Sequence, residues 1–472
     1  MAVAAVAGAL GLILAIRDTH AVLYDDAAIT MRYAYRIAHG DGFTYNPGDR
    51  TDGASAPLYT LLLAFINFCG GGLQGAAKVI GLLSYGAVCG LVSYLSGRIA
   101  GIAAGILAPL LLMASTAFRI NALSGMESCV AAAVGVAVLV ALRERRDTLC
   151  GILTGVDLFT RLDAGLLLIA VVAAVMLVRR RIPWRILVWS AAVIAPWLVF
   201  AQLYFGSVVP NSARVKATVL AKGVPLDHAW MLRAVQADHG LWTVAFTLVA
   251  VPVVISLRNR DLLVPTVALV IWPALLLLAY SYVNLGAGYP WYLVSLFPPF
   301  ACGAAIAVGG TVGWCVRAAR TSVPVMVLAA CLALFGCVVL TRSAWSGWTT
   351  SVQAVVHGHQ VAGYEEFEAT RRQTGIYLAG VTRPGQVVET CFGWPAFEDE
   401  SAVIRETCPL STRKKVAPPT WGTNASYPAT IKPVAPPGAV VVAVFTSPEG
   451  GDSWVYEYTH VTSHRGGGPR FR

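Results

Sequence analysis

Asp25 and Asp26 are adjacent carboxylates near the start of the chain, and a carboxylate can act as a general base. They follow an apolar run at residues 2–23, and the spacing of apolar residues in 26–39 predicts that they open a helix lying on the membrane. Like charges so close together tend to raise the pKa of one carboxylate, which suits proton abstraction. A structural alternative is that one of the two aspartates only caps the N-terminus of this helix.

Three further ionisable residues, Glu127, Arg161 and Asp163, stand at the ends of apolar runs. An ionisable side chain near a membrane is costly unless it is paired or functional. We therefore expect a polar rim around a cavity, in which Glu127 and Asp163 bind sugar hydroxyls. Arg161 would hold a phosphate, for which guanidinium groups are well suited. The alternative is that Arg161 and Asp163 only pair with each other.

The segment 206–240 is a long connection between two apolar runs, and connections of this length are often lids. Arg214 and Lys216, in its basic first part, are candidates for binding a phosphate. Asn211 follows a proline, so it either shapes the loop or binds a ligand. Further along the chain, Tyr292 belongs either to an aromatic belt at the membrane interface or to a surface that stacks on a sugar.

The elements that must position these residues are membrane helices. Of the 472 residues, 57% are hydrophobic and 13% are charged, whereas soluble domains have about 25% charged residues. This composition excludes an ordinary soluble enzyme and a disordered chain. The net charge of +10 does not indicate a nucleic-acid partner, because the arginines lie in short clusters between apolar runs. Membrane lipid is therefore the first partner that the composition predicts.

Eleven apolar runs are candidates for membrane-spanning helices, each of which needs about 20 apolar residues. They lie at residues 2–23, 76–97, 99–115, 125–142, 148–160, 163–178, 186–205, 241–257, 262–283, 292–315 and 322–341. Placing every arginine cluster in the cytoplasm makes these runs alternate without conflict. A further run at 57–69 is too short to cross a core of about 30 Å, and we interpret it as a re-entrant helix. The expected fold is a polytopic α-helical membrane protein with these 11 transmembrane helices.

This topology divides the chain into two domains. Residues 1–342 form the membrane domain, with a first exterior loop at 17–56 and a second at 206–240. Residues 343–472 contain β-branched runs separated by prolines, which predicts a small α/β domain outside the membrane. We expect a multi-pass protein of the cell membrane, with its site and its C-terminus extracytoplasmic.

Cys391 and Cys408 are the two cysteines of this exterior domain. Outside the cytoplasm a disulfide between them is expected, and the alternative is a pair of buried thiols. No set of cysteines and histidines has the spacing of a zinc site. The sequence predicts no particular cofactor and is compatible with a divalent cation.

The segment from Asp25 to Leu58 resembles the first exterior loop of the GT-C glycosyltransferases, polytopic enzymes that take sugars from polyprenyl phosphates. Within that superfamily it most resembles the mycobacterial terminal arabinofuranosyltransferases of cell-wall arabinan. The residues that carry the resemblance are Asp25-Asp26, Arg32-Tyr33-Ala34, Gly40, Gly42, Tyr45-Asn46-Pro47-Gly48, Gly53, Ser55, Pro57 and Leu58. Later motifs that agree are Ser124-Gly125-Met126-Glu127, Thr160-Arg161-Leu162-Asp163, Phe205-Gly206-Ser207, Pro210-Asn211-Ser212 and Lys216. Leu162 stands where the family usually has a proline.

The resemblance implies an inverting glycosyltransferase. Asp25 would deprotonate an acceptor hydroxyl, Asp26 would orient the acceptor, and Arg32 and Tyr33 would help to bind the sugar or the acceptor. The donor would be a polyprenyl-phosphate sugar such as decaprenyl-phosphate arabinofuranose. The acceptor would be a cell-envelope glycan such as arabinogalactan or lipoarabinomannan. The alternatives are a mannosyltransferase of the same fold, a lipid or sugar transporter, and a non-catalytic binding subunit.

Overall fold

The structure is a computed structural model that describes residues 1–16, 23–214, 252–253, 259–283 and 290–318. It also describes short segments of the C-terminal region, at 372–373, 376, 378–380, 387–390, 403–406, 439–445 and 453–458. Of Asp25 only the backbone is described. The predicted features that lie outside the described residues are Lys216, Cys391, Cys408, most of loop 206–240, most of run 241–257 and the run 322–341.

Helices dominate the described residues, as the apolar runs predict. The α-helices are α1 (Ala2–Ile16), α2 (Asp25–Ala38), α3 (Pro57–Phe68), α4 (Leu73–Ala100), α5 (Ile102–Ala114), α6 (Thr116–Leu123), α7 (Ser128–Arg143), α8 (Asp147–Thr160), α9 (Gly165–Arg179), α10 (Trp184–Phe205), α11 (Arg260–Val283) and α12 (Phe297–Ala318). Two 3-10 helices, Leu162–Ala164 and Pro290–Leu296, precede α9 and α12. Within the described part of the chain, nine of the eleven predicted runs coincide with helices.

Five of the described helical segments are long and apolar enough to cross a membrane. They are Leu73–Ala100, Leu162–Arg179, Trp184–Phe205, Asp261–Tyr280 and Trp291–Thr311. Helices α1, α5 and α7 are apolar but have only 15, 13 and 16 residues. The chain is therefore a mostly helical, multi-pass membrane protein, and the total of 11 crossings stays a prediction.

The long helix α4 packs against α1, α5, α7 and α12. Its contact with α1 is made by small residues, since a Cβ on Gly8 would lie 3.1 Å from the carbonyl oxygen of Gly86. Helix α8 packs on α10 in the same way, with Gly151 and Gly155 against the backbone of α10. Small residues let helices approach closely in a membrane, where van der Waals packing is a main source of attraction. Both helix contacts therefore require glycine, because a side chain at these positions would collide with the neighbouring helix.

The ends of the helices form two polar faces. One face, which we call the arginine face, contains the ion pairs of Arg98 with Glu144, Arg145 with Asp261, and Asp147 with both Arg179 and Arg181. Glu127 and Arg161 lie at the opposite ends of α7 and α8 and pair with each other. Among the described residues, the basic clusters at Arg98, 143–146 and 179–181 therefore share one side of the bundle, as the predicted topology requires.

Helix α2 is largely buried between neighbouring elements. The sequence predicts a helix at 26–39, and the helix is present, but most of its residues are buried. Its stripe of Ile29 and Tyr33 packs in one apolar cluster with Trp197 of α10. Its opposite, alanine-rich face packs in a second cluster with Tyr59 of α3. The predicted helix is therefore confirmed and is covered by neighbouring elements, while its place on the membrane stays a prediction.

Helix α3 does not cross the bundle. It has 12 residues and therefore rises about 18 Å. Near its start, the hydroxyl of Tyr59 donates to the carbonyl oxygen of Gly125 at 3.0 Å, two residues before Glu127. Its end leads through a short turn into α4, whose other end carries Arg98 at the arginine face. Both ends of α3 thus lie on the side of Glu127, which agrees with a re-entrant helix at 57–69.

Four strands are described in the C-terminal region: β1 (Val387–Thr390), β2 (Val403–Glu406), β3 (Ala439–Phe445) and β4 (Ser453–Tyr458). β1 and β2 are parallel, with Val387 opposite Val403. β3 and β4 are antiparallel, with Ala439 opposite Tyr458. β1 and β3 coincide with the β-branched runs in which strands are predicted. The complete α/β domain at 343–472 stays a prediction.

A tight turn between α6 and α7 joins the start of α7 to the start of α2. Gly125 in this turn has a φ of +77°, a conformation that glycine adopts without a steric cost. A Cβ at this position would lie 2.6 Å from Leu23 and 3.1 Å from Ala27. The backbone amide of Tyr24 donates to the carbonyl oxygen of Ser124 at 2.8 Å. The glycine therefore lets the two helix starts come together.

We predict that Gly125→Ala destabilises the protein by roughly 1–3 kcal/mol, because it combines left-handed backbone strain with overpacking. The melting temperature of the purified protein in detergent measures this. Gly75→Ala in α4 is the matched control, since a Cβ there meets nothing within 4 Å and alanine favours a helix. Equal melting temperatures for the two variants would show that the turn does not constrain the fold.

Candidate active site

A cleft opens on the face opposite the arginine face. It contains about 470 Å³ of empty space. Its walls come from α2, the loop after α2, the starts of α7 and of the second loop, the end of α8, and the 3-10 helix before α12. The residues that line it are Asp26, Ile29, Thr30, Gly53, Ala54, Ser55, Met126, Glu127, Arg161, Ser212, Trp291 and Tyr292. Residues that are far apart in the sequence therefore meet in one cavity.

The first turn of α2 forms one wall of the cleft and carries the paired aspartates. The helix begins at Asp25, and its N-cap residue is Tyr24, which makes no side-chain capping bond. Neither aspartate thus occupies the N-cap position, although negative charge in the first turn is still favoured by the helix dipole. Asp26 is partly exposed and lines the cleft. This placement favours a chemical role for Asp26 over a capping role.

Arg161 lies at the centre of a buried polar network. Its Nη1 donates to Oε1 of Glu127 at 2.8 Å, and its Nη2 donates to Oδ2 of Asp163 at 2.7 Å. Its Nε donates to Oδ1 of Asp163 at 3.0 Å. The hydroxyl of Tyr280, in α11, also hydrogen-bonds to Asp163. The ring of Tyr292 lies 5.1 Å from Cζ of Arg161, so the network joins the ends of several helices.

The break between α8 and α9 directs Arg161 into this network. Helix α8 ends at Thr160, and Arg161 has an extended backbone with φ −147° and ψ 137°. A 3-10 turn follows at once and carries Asp163. Leu162, which stands where the family that the sequence resembles usually has a proline, is 55% exposed. The turn therefore forms without the proline.

The pairing of Arg161 with Asp163, which the sequence leaves as an alternative to phosphate binding, is present in the structure. Each of the three guanidinium nitrogens donates to a carboxylate. These bonds use three of the five N–H donors of the guanidinium group, so a phosphate in the cleft could accept from the other two. Arg161 therefore holds Glu127 and Asp163 in place, and its role in phosphate binding stays a prediction.

Arg32 and Tyr33, which the resemblance assigns to substrate binding, are buried under the first loop and do not line the cleft. The hydroxyl of Tyr33 donates to the carbonyl oxygen of Thr51 at 2.6 Å and accepts from the amide of Gly53 at 2.9 Å. The Nε of Arg32 donates to the carbonyl oxygen of Tyr45 at 2.9 Å. These two residues hold the loop between α2 and α3, and the loop in turn forms a wall of the cleft.

The start of the second loop closes another side of the cleft. The backbone amide of Asn211 donates to the carbonyl oxygen of Asp52 at 2.7 Å, which docks the second loop on the first. Ser212 is buried and lines the cleft. Arg214 is exposed and is not one of the lining residues. The structure therefore places Asn211 and Arg214 at the edge of the cleft.

Asp52 is a buried carboxylic acid that the sequence does not single out. It is 4% exposed, and within the described chain neither of its carboxylate oxygens has a hydrogen-bond partner. Burial raises the pKa of Asp52 to about 7, against the opposing effect of Arg214. Gly53 beside it and Ser212 across the loop contact both line the cleft. The residue lies within the family-like stretch of the first loop, but only the folded loop shows its burial.

Three hydroxyl residues in the cleft, Thr30, Ser55 and Ser212, are also absent from the predicted site. Ser55 belongs to the motifs that carry the resemblance, whereas Thr30 has no sequence signal of its own. Across the residues that the structure describes, no group of three or more His, Cys, Asp or Glu side chains could hold a metal ion. The described side chains therefore do not build a metal centre by themselves.

Comparison with known proteins relates this fold to solved membrane transferases. No protein-family model matches the sequence, and the search of curated proteins gives no match. The crystal structure of ArnT from Cupriavidus metallidurans bound to undecaprenyl phosphate is similar, with a TM-score of 0.58 and 16% identity over 84% of each chain. The Archaeoglobus fulgidus oligosaccharyltransferase in complex with Zn and sulfate has a TM-score of 0.53 and 11% identity. That match covers 83% of this chain and 58% of the other.

These likenesses are likenesses of fold. Both matches are at low identity, 16% and 11%, so what they show is a shared fold. The finer resemblance to mycobacterial arabinofuranosyltransferases is not confirmed by them.

We predict that Asp52→Asn stabilises the protein at high pH. The folded-state pKa of about 7 lies above the ordinary value of 3.8. The stability that depends on a neutral Asp52 is therefore present below pH ~4 and lost as the pH rises to about 7. The gain from asparagine should be near zero at about pH 4 and reach at most about 4 kcal/mol at about pH 8. Melting temperatures across this range measure the gain.

The control for this experiment is Asp49→Asn, which removes one negative charge from the same loop at a partly exposed position. A gain from Asp52→Asn that does not grow with pH would contradict a protonated, buried Asp52.

We also predict that Arg161→Gln costs about 3–5 kcal/mol, because Glu127 and Asp163 would be left buried without their cation. Arg161→Lys should recover only part of this, since an ammonium group cannot form the forked pair with two carboxylates. Arg98→Gln is the matched control. Its ion pair with Glu144 is partly exposed and should be worth about 1 kcal/mol or less. Similar melting temperatures for Arg161→Gln and Arg98→Gln would show that the network does not support the fold.

Proposed function

We propose that the protein is an inverting membrane glycosyltransferase that takes a sugar from a polyprenyl-phosphate donor and transfers it to a cell-envelope glycan. The fold supports this proposal, since it is shared with ArnT in its complex with undecaprenyl phosphate. The observation that carries the proposal is the cleft in which Asp26 and Glu127 meet beside Arg161. Carboxylates from two directions can act there on one substrate.

The proposed reaction is a single displacement. Asp25, at the start of α2, accepts the proton of the acceptor hydroxyl. The hydroxyl oxygen attacks the anomeric carbon, and the bond from that carbon to the phosphate oxygen breaks, with both electrons going to the phosphate. The lipid phosphate leaves as an anion and needs no general acid, while nearby cations stabilise the developing charge. Asp26 orients the acceptor or shares the proton.

Sugar binding is assigned to the walls of the cleft. Glu127 accepts hydrogen bonds from sugar hydroxyls, and Arg161 keeps Glu127 and Asp163 in place. Tyr292 lines the cleft and offers an aromatic face on which a sugar can stack. Asn211 is at the edge and can reach the acceptor.

Phosphate binding is assigned to the second loop. Arg214 and Lys216 are the cations proposed for the lipid phosphate, together with the two N–H donors of Arg161 that the carboxylates do not use. The proposed role of Arg32 and Tyr33 changes from substrate binding to positioning of the first loop. A divalent cation bound with the donor is compatible with this assignment.

The donor that we propose is decaprenyl-phosphate arabinofuranose, on the basis of the resemblance of the first loop, with a mannose donor as the alternative. By the positive-inside rule the arginine face is cytoplasmic, so the cleft opens on the outer face of the cell membrane. The domain at 343–472 would then be outside as well, with a disulfide between Cys391 and Cys408, and could help to bind the glycan.

Incubation of the purified protein with labelled polyprenyl-phosphate arabinofuranose or mannose, and a glycan acceptor, tests the proposal. Asp25→Asn should lower the transfer rate about 10²–10⁴-fold. The melting temperature should not change, because asparagine has the size of aspartate and is equally compatible with a helix start. Glu144→Gln removes a carboxylate at the arginine face and is the control, which should keep full activity.

Each outcome of this experiment has a definite reading. Full activity in both Asp25→Asn and Asp26→Asn would refute the proposed base, and loss only in Asp26→Asn would move the base to Asp26. Consumption of the mannose donor alone would change the sugar and leave the mechanism. Movement of labelled lipid across a vesicle without any transfer would favour a transporter.

A further inference from the structure

A groove at the arginine face lies at the far ends of α7 and α8 from the cleft. It is formed by the turn between these helices, the first turns of α8 and the start of α10, and it contains about 670 Å³ of empty space. The hydroxyl of Ser190 in α10 donates to the carbonyl oxygen of Gly151 in α8 at 3.0 Å, which holds the two walls together. Helix α8 rises about 21 Å, so the groove is separate from the proposed active site.

Two arginines in the groove carry charges that the described part of the chain does not neutralise. Arg146 and Arg185 are exposed and line the groove, and neither forms an ion pair with a described residue. The acidic residue that lines the groove, Asp147, is already paired with both Arg179 and Arg181. The groove therefore has an excess of positive charge.

A third arginine, Arg145, also lines the groove, and its backbone has an unfavourable conformation. Arg145, in the turn between α7 and α8, has a φ of +56°, a conformation that glycine or asparagine adopts at lower cost. Its side chain lines the groove and pairs with Asp261 at the start of α11. The turn thus presents consecutive arginines to the groove.

The remaining wall of the groove is apolar. Leu149 is 39% exposed and lines the groove together with Ile152, one turn further along α8. On α10, Trp184 and Val188 flank this region and are 65% and 60% exposed. Exposed apolar side chains on a membrane helix face lipid chains. The groove therefore combines guanidinium groups with a surface suited to hydrocarbon.

We propose that this groove binds an anionic membrane phospholipid, with the phosphate between Arg146 and Arg185 and the acyl chains along Leu149 and Ile152. Guanidinium groups match phosphate oxygens, and basic pockets between membrane helices suit anionic head groups. A free phosphate would use only the charged end of the groove. A zwitterionic lipid would bring its own cation against the arginines. The proposal does not depend on the transferase activity.

Native mass spectrometry of the full-length protein tests this, with phosphatidylglycerol and phosphatidylcholine of the same acyl chains added in equal amounts. Phosphatidylglycerol should be retained in preference. Arg146→Gln and Arg185→Gln should each weaken its retention about fivefold, and the double variant should weaken it further, with phosphatidylcholine unchanged. Arg98→Gln, at the same face but not among the residues that line the groove, is the matched control and should behave as the wild type. Melting temperatures verify that every variant is folded.

Three outcomes would overturn the proposal: equal retention of the two lipids, wild-type retention of phosphatidylglycerol by the folded double variant, or full displacement of the lipid by inorganic phosphate. The last outcome would identify a site for soluble anions. Retention that resists inorganic phosphate and requires both arginines supports the lipid site.

Discussion

An arginine cannot lose its charge in a protein, so a buried one needs acceptors such as carboxylates or backbone carbonyls around it. Arg161 imposes this requirement on the bundle. Glu127 reaches it from the start of α7, Asp163 from the turn before α9, and Asp163 in turn hydrogen-bonds to Tyr280 of α11. Helices from different parts of the chain are thereby fixed at one point.

The cleft depends on the same network around Arg161. The turn that positions Glu127 also holds the start of α2 through Tyr24, and it accepts a hydrogen bond from Tyr59 of α3. The first loop is fixed to α2 by Tyr33, and the second loop is docked on the first through Asn211. A few hydrogen bonds therefore hold each wall of the cleft to a neighbouring helix or loop. Glu127, which lines the cleft, connects these walls to the network of Arg161.

The positions of the helices could be predicted from the lengths of the apolar runs. Which helix ends lie on the same side of the bundle could be predicted from the placement of the arginines. The helix that follows Asp25 is predicted from the regular spacing of its apolar residues. Glu127, Arg161 and Asp163 are expected on one side because each stands at the end of an apolar run. The directions of side chains could not be predicted. Arg32 bonds to the loop instead of the cleft because that loop folds back over α2.

The lengths of α7 and α8 have a mechanical consequence for the membrane around them. They contain 16 and 14 residues and therefore rise about 24 and 21 Å, whereas the hydrocarbon layer is about 30 Å thick. With charged residues at both ends, these helices require either a locally thinned bilayer or shielding by longer neighbours such as α4. The polar floor of the cleft is then recessed below the surrounding lipid head groups. The thickness of the bilayer therefore determines how far a lipid-anchored molecule must move out of the hydrocarbon layer to reach the polar residues at the bottom of the cleft.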